Sequence, residues 1–154
     1  MAKEHHFAAH LTWTGSRHGS TRSYESYDRG WRVEIEGKAP LEGSADPAFR
    51  GDGSLHNPED LLVAALSACH MLSYLALCAR AGIEVTAYED QASGLMTIKD
   101  KKMRFVEVTL APRVTIAAGD LEQAEALHGQ AHEQCFIASS VNFPVLHMPT
   151  VTRA

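Results

Sequence analysis

The chemistry open to this chain rests on three cysteines, Cys69, Cys78 and Cys135, and on the charged and imidazole side chains near them. A thiolate is a nucleophile and a metal ligand, whereas a thiol kept neutral by apolar surroundings is only a small hydrophobe. Cys69 stands in NPEDLLVAALSACHMLSYLALCARAG (57–82), where no charged side chain occurs over 61–79. There it is either an inert core residue or a nucleophile that needs a cation or donor beside it. His70 cannot form a dyad with it, because adjacent helical residues point about 100° apart. Arg50, on the irregular segment ahead of the helix, is the better partner, since a guanidinium stays charged when desolvated. Glu59 suits the positive end of the helix dipole, but ten residues of straight helix hold it about 15 Å from Cys69. It can act near the thiol only if the helix breaks or two copies of it pair, and then by orienting Arg50 toward the thiolate.

Cys135 offers a second possibility. His128, His132 and Cys135 fall at i, i+4 and i+7, a spacing that could hold zinc with Cys69 or His70 as a further ligand. Cys78 points in a different direction from Cys69 on the same helix and reads as core. None of the patterns GxSxG, GxGxxG, Walker A or CxxC is present.

These residues need elements to carry them. Asn57 is a helix N-cap, Pro58 suits the first helical position, Glu59 and Asp60 favour the dipole, and Gly82 can take a left-handed cap. Apolar residues cover every face of this helix, so it asks to be buried all round. It is also long enough to span a bilayer. Ser67, His70, Ser73 and Tyr74 at mid-span, and soluble β patterning on both flanks, favour a core helix instead. Strands are expected over 7–13, then over 22–28 and 31–36 around a turn at Arg29-Gly30. An irregular stretch covers 37–56. Further strands follow over 83–93, 95–98 and 105–116, with a charged turn at 99–102. Asp120 can cap a second helix running to Gln134, with Leu121, Ala124, Leu127 and Ala131 inward. A short edge strand over 143–152, interrupted by Pro144 and Pro149, closes the chain. The order gives an α+β class in one domain over 1–154.

A length of 154 residues is small for a helix buried on all sides, and pairing two such helices in a dimer would solve that problem. The net charge of −5 leaves no basic footprint for nucleic acid, and no membrane partner is expected. The opening residues lack the charged-then-apolar order of a secretory leader. With an odd cysteine count, this sets the expectation of a reducing, cytoplasmic compartment.

NPEDLLVAALSACHM resembles the NPE(E/Q)L…AACF signature of the OsmC/Ohr family of thiol-dependent peroxidases, and a second cysteine far down the chain, Cys135, extends the likeness. The resemblance implies an intertwined homodimer with two long helices at its centre, antiparallel sheets wrapped outside and active sites at the interface. It implies Cys69 as the peroxidatic thiol, Cys135 as the resolving thiol and Glu59 as the glutamate that holds the arginine. The OsmC branch places that arginine shortly before NPE, at Arg50; the Ohr branch places it near the N-terminus, at Arg17 or Arg22. The long connection before Asn57 favours Arg50. The chain departs from the pattern at His70, where the family often has Phe, and at CFIASS. The function implied is reduction of organic hydroperoxides, with no cofactor or metal and with a lipoyl-type dithiol as reductant. The alternative is a binder of zinc or an apolar ligand without turnover.

Overall fold

In the computed structural model, which describes residues 3–154, the long apolar run forms one unbroken helix, α1 (Pro58–Arg80). Its start is closed reciprocally: the Asn57 side chain accepts from the Asp60 N–H at 2.8 Å, and the Asp60 carboxylate accepts from the Asn57 N–H at 3.4 Å. Gly82 ends it in the left-handed region at φ 71°, a conformation a Cβ would strain, while the Ile83 N–H bonds the Cys78 carbonyl at 2.9 Å.

The chain divides into two compact units, the first ending at Leu61 and the second running Leu62–Ala154. The first carries an antiparallel sheet in the order β1 (His10–Trp13), β2 (Trp31–Glu34), β3 (Leu41–Gly43). Trp31 fixes its far edge. Its indole N–H donates to the Ser44 carbonyl at 3.0 Å, and its ring lies where a Cβ on Gly43 would stand, 2.0 Å away. The hairpin expected around Arg29-Gly30 does not form, and 22–28 is a run of turns rather than a strand. Ser26 supplies the reason: its hydroxyl serves the Ser20 and Ser23 carbonyls, so local side chains replace a strand partner. The segment 37–56 is more ordered than its composition suggested. It holds β3 and a 3-10 turn, Pro47–Phe49, capped by Asp46.

The second unit contains two three-stranded sheets and two helices. One sheet has the order β4 (Glu84–Asp90), β7 (Pro112–Ala118), β9 (Thr150–Arg153). The other has the order β5 (Ser93–Lys99), β6 (Lys102–Leu110), β8 (Val145–His147). The expected strand over 105–116 is therefore two strands, split at Ala111. Pro112 lacks an N–H for a continuous ladder, and the Ala111 N–H is taken by the Asp90 carboxylate at 2.7 Å. The last segment likewise splits into β8 and β9. Each lies at a sheet edge, paired in parallel with β6 and β7 respectively, so the sheets are mixed rather than wholly antiparallel. Helix α2 (Leu121–Gln134) starts where Asp120 accepts from the Gln123 N–H at 2.7 Å.

Against these layers α1 buries a single stripe, Leu66, His70, Tyr74 and Cys78, one residue per turn. Tyr74 and Cys78 join Val114, Ile116, Ala124 and Leu127 in one core, and Leu66 joins Val108, Leu110 and Val145 in another. The expectation of burial all round is thus not met within one chain: Leu72, on the opposite face, is 64% exposed.

Asp90 ties three elements together, since it also accepts from the Ser67 hydroxyl of α1 at 2.5 Å. Asp90→Ala strands the Ala111 N–H and frees Ser67, and should lower the unfolding free energy by roughly 1–3 kcal/mol in a urea titration. An unchanged midpoint would show that α1 does not depend on this staple.

Candidate functional site

Helices α1 and α2 bring two of the three cysteines together. Cys69 and Cys135 lie close enough for the Cys69 side chain to act on the Cys135 thiol, and both are free thiols. Their surroundings differ. Cys135 ends α2 and is 1% exposed, and its thiol is pushed up to about 11, first by burial and then by the Cys69 side chain. The Ala138 N–H, 3.4 Å from the Cys135 sulfur, works in the opposite direction by favouring the thiolate. Cys69 is half-exposed, not buried as its apolar neighbourhood suggested, because the buried stripe passes through His70 instead. It lies on an open groove of about 640 Å³, with Ala65, Ala68, Leu72 and Ala76 of α1 on one side and Gln134 and Phe136 on the other.

Behind the cysteines lies a polar cluster. His70 Nε2 and His128 Nδ1 are 3.0 Å apart, one donating to the other according to tautomer, and Tyr74 stacks on His128 at 3.8 Å between centroids. The Tyr74 hydroxyl donates to the Ala124 carbonyl at 3.1 Å. His147 of β8 packs beside both His70 and His132, at 5.6 and 5.4 Å between ring centroids. His70 Nδ1 and His128 Nε2 are buried and have no partner among the described residues. Burial holds both imidazoles neutral, pushing His70 down to about 4 and His128 to about 3, with the neighbouring histidines adding to it. Asp90 opposes the shift at His70. The zinc set suggested by His128, His132 and Cys135 is not assembled. Those side chains face His70, His147 and Cys69, and among the described residues no three ligating side chains converge on one point.

The remaining residues of interest lie in the first unit. Arg50 is exposed and closes the Pro47–Phe49 turn in the left-handed region at φ 65°. Its charge acts on Glu25, whose carboxyl is held low first by a backbone and a Ser23 hydrogen bond and then by Arg50 and Arg29. Arg17 is exposed in a short 3-10 turn and Arg22 in the turns that follow. Glu59 is half-buried in the first turn of α1, and because α1 is unbroken it stays ten residues from Cys69 along one axis.

A protein-family comparison matches residues 51–147 to the OsmC-like protein family, a span that includes both cysteines, Glu59 and the whole of α1 and α2. The chain belongs to that family. Its OsmC-like fold superposes on an OsmC-like protein of unknown function from Vibrio cholerae with a TM-score of 0.86, at 30% identity over 96% of this chain and 100% of the other. An organic hydroperoxide resistance protein from Elizabethkingia anophelis shares the fold at a TM-score of 0.72 and 20% identity, covering 100% of both chains. The uncharacterised protein YmaD of Bacillus subtilis is 22% identical over 90% of this chain and 87% of its own.

In this OsmC-like chain the sequence grouped His70 with His128 and His132 as a possible zinc set, and what it missed is His147 and the direct His70–His128 bond. The i, i+4 pair His128 and His132 was visible, but its partners lie 58 and 15 residues away, on α1 and β8. Only the fold brings those four rings together.

A histidine whose folded pKa is depressed destabilises the fold once the unfolded chain binds protons that the folded chain refuses. Stability should therefore be level above pH 6.5, the ordinary imidazole value, and fall as pH drops toward about 4. Urea midpoints read between pH 7.5 and 5 test this ahead of most carboxylate titration. A midpoint flat across that range would contradict two neutral buried imidazoles.

Proposed function

We propose that this protein is a thiol-dependent peroxidase that reduces organic hydroperoxides, with Cys69 as the attacking thiolate and Cys135 as the thiol that resolves it. The observation that carries the reading is the pairing of a half-exposed thiol on an open groove with a buried thiol close behind it. Such a pair suits two successive displacements. The Cys69 thiolate attacks the distal oxygen of the hydroperoxide, the O–O bond breaks, and the alkoxide leaves with a proton as alcohol. The resulting sulfenic acid is attacked by the Cys135 sulfur, releasing water and forming a disulfide. A dithiol of the lipoyl class then takes up the disulfide by exchange and returns both thiols. The apolar walls of Ala65, Ala68, Leu72 and Phe136 favour an organic peroxide over hydrogen peroxide.

Arg50 is assigned to the thiolate and Glu59 to Arg50, as in the OsmC branch. With α1 unbroken, Glu59 reaches a Cys69 only from a second copy of the helix, which makes the site a dimer site. The open face of α1 supports this assembly: no charge occurs over 61–79, Leu72 is 64% exposed and Phe136 is 80% exposed. The zinc-binding alternative has no converging set of three ligands among the described residues to rest on.

Cys69→Ser should abolish peroxide reduction, whereas Cys135→Ser should still reduce one equivalent per Cys69 and then stop. Arg50→Ala should slow consumption by at least about tenfold near neutral pH, the effect of losing one charge-assisted contact, while Arg17→Ala and Arg22→Ala match wild type. Consumption assays across the five variants test these roles. Equal loss in both cysteine variants would overturn their division of labour, and loss in an N-terminal arginine variant would move the cation to that position.

Sedimentation of the wild-type chain at micromolar concentration should give a dimer that separates only on unfolding. A folded monomer there would remove the cross-subunit role of Glu59.

A further inference from the structure

The histidine cluster sits between the two helices that carry the cysteines. His70 is the sequence neighbour of Cys69, and His128 and His132 lie two turns and one turn ahead of Cys135 on α2. The joint between these helices is polar. It consists of the His70–His128 hydrogen bond at 3.0 Å, the stack of Tyr74 on His128 at 3.8 Å and the Tyr74 bond to the Ala124 carbonyl at 3.1 Å. Stability does not account for the imidazoles. Each is 1% exposed and leaves one ring nitrogen without a partner among the described residues, and two apolar rings of similar volume would avoid both penalties. What an apolar pair cannot supply is direction. One N–H···N bond admits one rotation and one height of α2 on α1, whereas an apolar contact tolerates a range of both.

We propose that the His70–His128 pair is a positioning element that fixes the register of α2 on α1 and thereby keeps the Cys135 sulfur beside the Cys69 sulfur. The pair touches neither peroxide nor the reacting sulfurs, so it acts on the second displacement, closure of the disulfide, and not on the first attack at Cys69. This rests on the reading of Cys69 and Cys135 as a redox pair, and the test is chosen to be independent of peroxide. The groups facing the pair are Tyr74 on α1, His132 on α2, His147 on β8 and Asp90 on β4, with Cys78 and Tyr88 packed against Tyr74.

The probe is 2,2′-dithiodipyridine, with Cys78 replaced by Ser so that two thiols remain. The Cys69 thiolate attacks the probe's disulfide and expels one pyridinethione, leaving a mixed disulfide on Cys69. Cys135 then attacks the Cys69 sulfur, forms the internal disulfide and expels a second pyridinethione. The two releases are read separately by absorbance, and the internal disulfide by peptide mapping. His128→Leu keeps bulk and loses Nδ1; His70→Phe keeps a ring and loses the partner nitrogen. Each should slow the second release at least tenfold and leave the first within about twofold. His128→Asn, whose amide can bond where Nδ1 does, should restore the second release to within about threefold of wild type. Rescue by Asn is what mere filling of the core would not produce.

If either apolar variant folds and closes its disulfide at the wild-type rate, the pair positions nothing and the proposal is wrong. If Asn closes as slowly as Leu, the directional bond is not the cause and the proposal is equally wrong. If the wild-type protein gives a fast first release and no second, it is the redox pairing of Cys69 with Cys135 that fails, and the positioning role falls with it.

Discussion

The packing of α2 on α1 through Tyr74, His128 and His70 is the contact on which the rest of the site depends. Two helices that meet on alanine and leucine alone can slide and roll against each other at little cost. Here a stacked ring pair, a hydroxyl bonded to a backbone carbonyl and one imidazole–imidazole bond converge within two turns of α1, all fully buried. The core of Val114, Ile116, Leu127 and Ala131 surrounds that joint and supplies the apolar burial that drives the helices together. The polar contacts decide how they meet. Cys135, placed at the C-terminal end of α2, inherits its position from that decision.

The two faces of α1 then have different tasks. The face through Leu66, His70, Tyr74 and Cys78 is covered by sheet and by α2. The opposite face, with Ala65, Ala68, Cys69, Leu72 and Ala76, is open and lines the groove. One residue of offset, Cys69 against His70, separates the groove-facing thiol from the buried imidazole. That offset also explains why the two cysteines have unlike environments: Cys69 meets solvent on one side, while burial raises the Cys135 thiol and a backbone N–H on its sulfur partly restores its acidity.

Much of the fold was legible from local chemistry. Asn57, Pro58 and Gly82 mark the ends of α1 through capping physics alone, and Asp120 does the same for α2. The strand readings failed where tertiary or side-chain partners overrode pattern. Ser26 bonds the backbone of Ser20 and Ser23, Asp90 with Pro112 breaks a long apolar run into two strands, and β8 and β9 leave one segment for two different sheets. One chain leaves Cys69 partly uncovered for a related reason: an all-apolar helix does not say which face its own chain covers. Of the site, the two cysteines were readable as types and spacing. Their contact, and the meeting of His70, His128, His132 and His147, depends on long-range topology that no local pattern encodes.

The measurement closest to the central claim is the mass and peptide map of wild-type protein after one equivalent of an organic hydroperoxide, in the absence of any reductant. A redox pair built across α1 and α2 predicts loss of a pair of hydrogen atoms from the intact chain. It also predicts a single new cross-link joining the peptides of Cys69 and Cys135, with Cys78 still free. Protein that keeps its full mass and all three free thiols while the peroxide persists would contradict it.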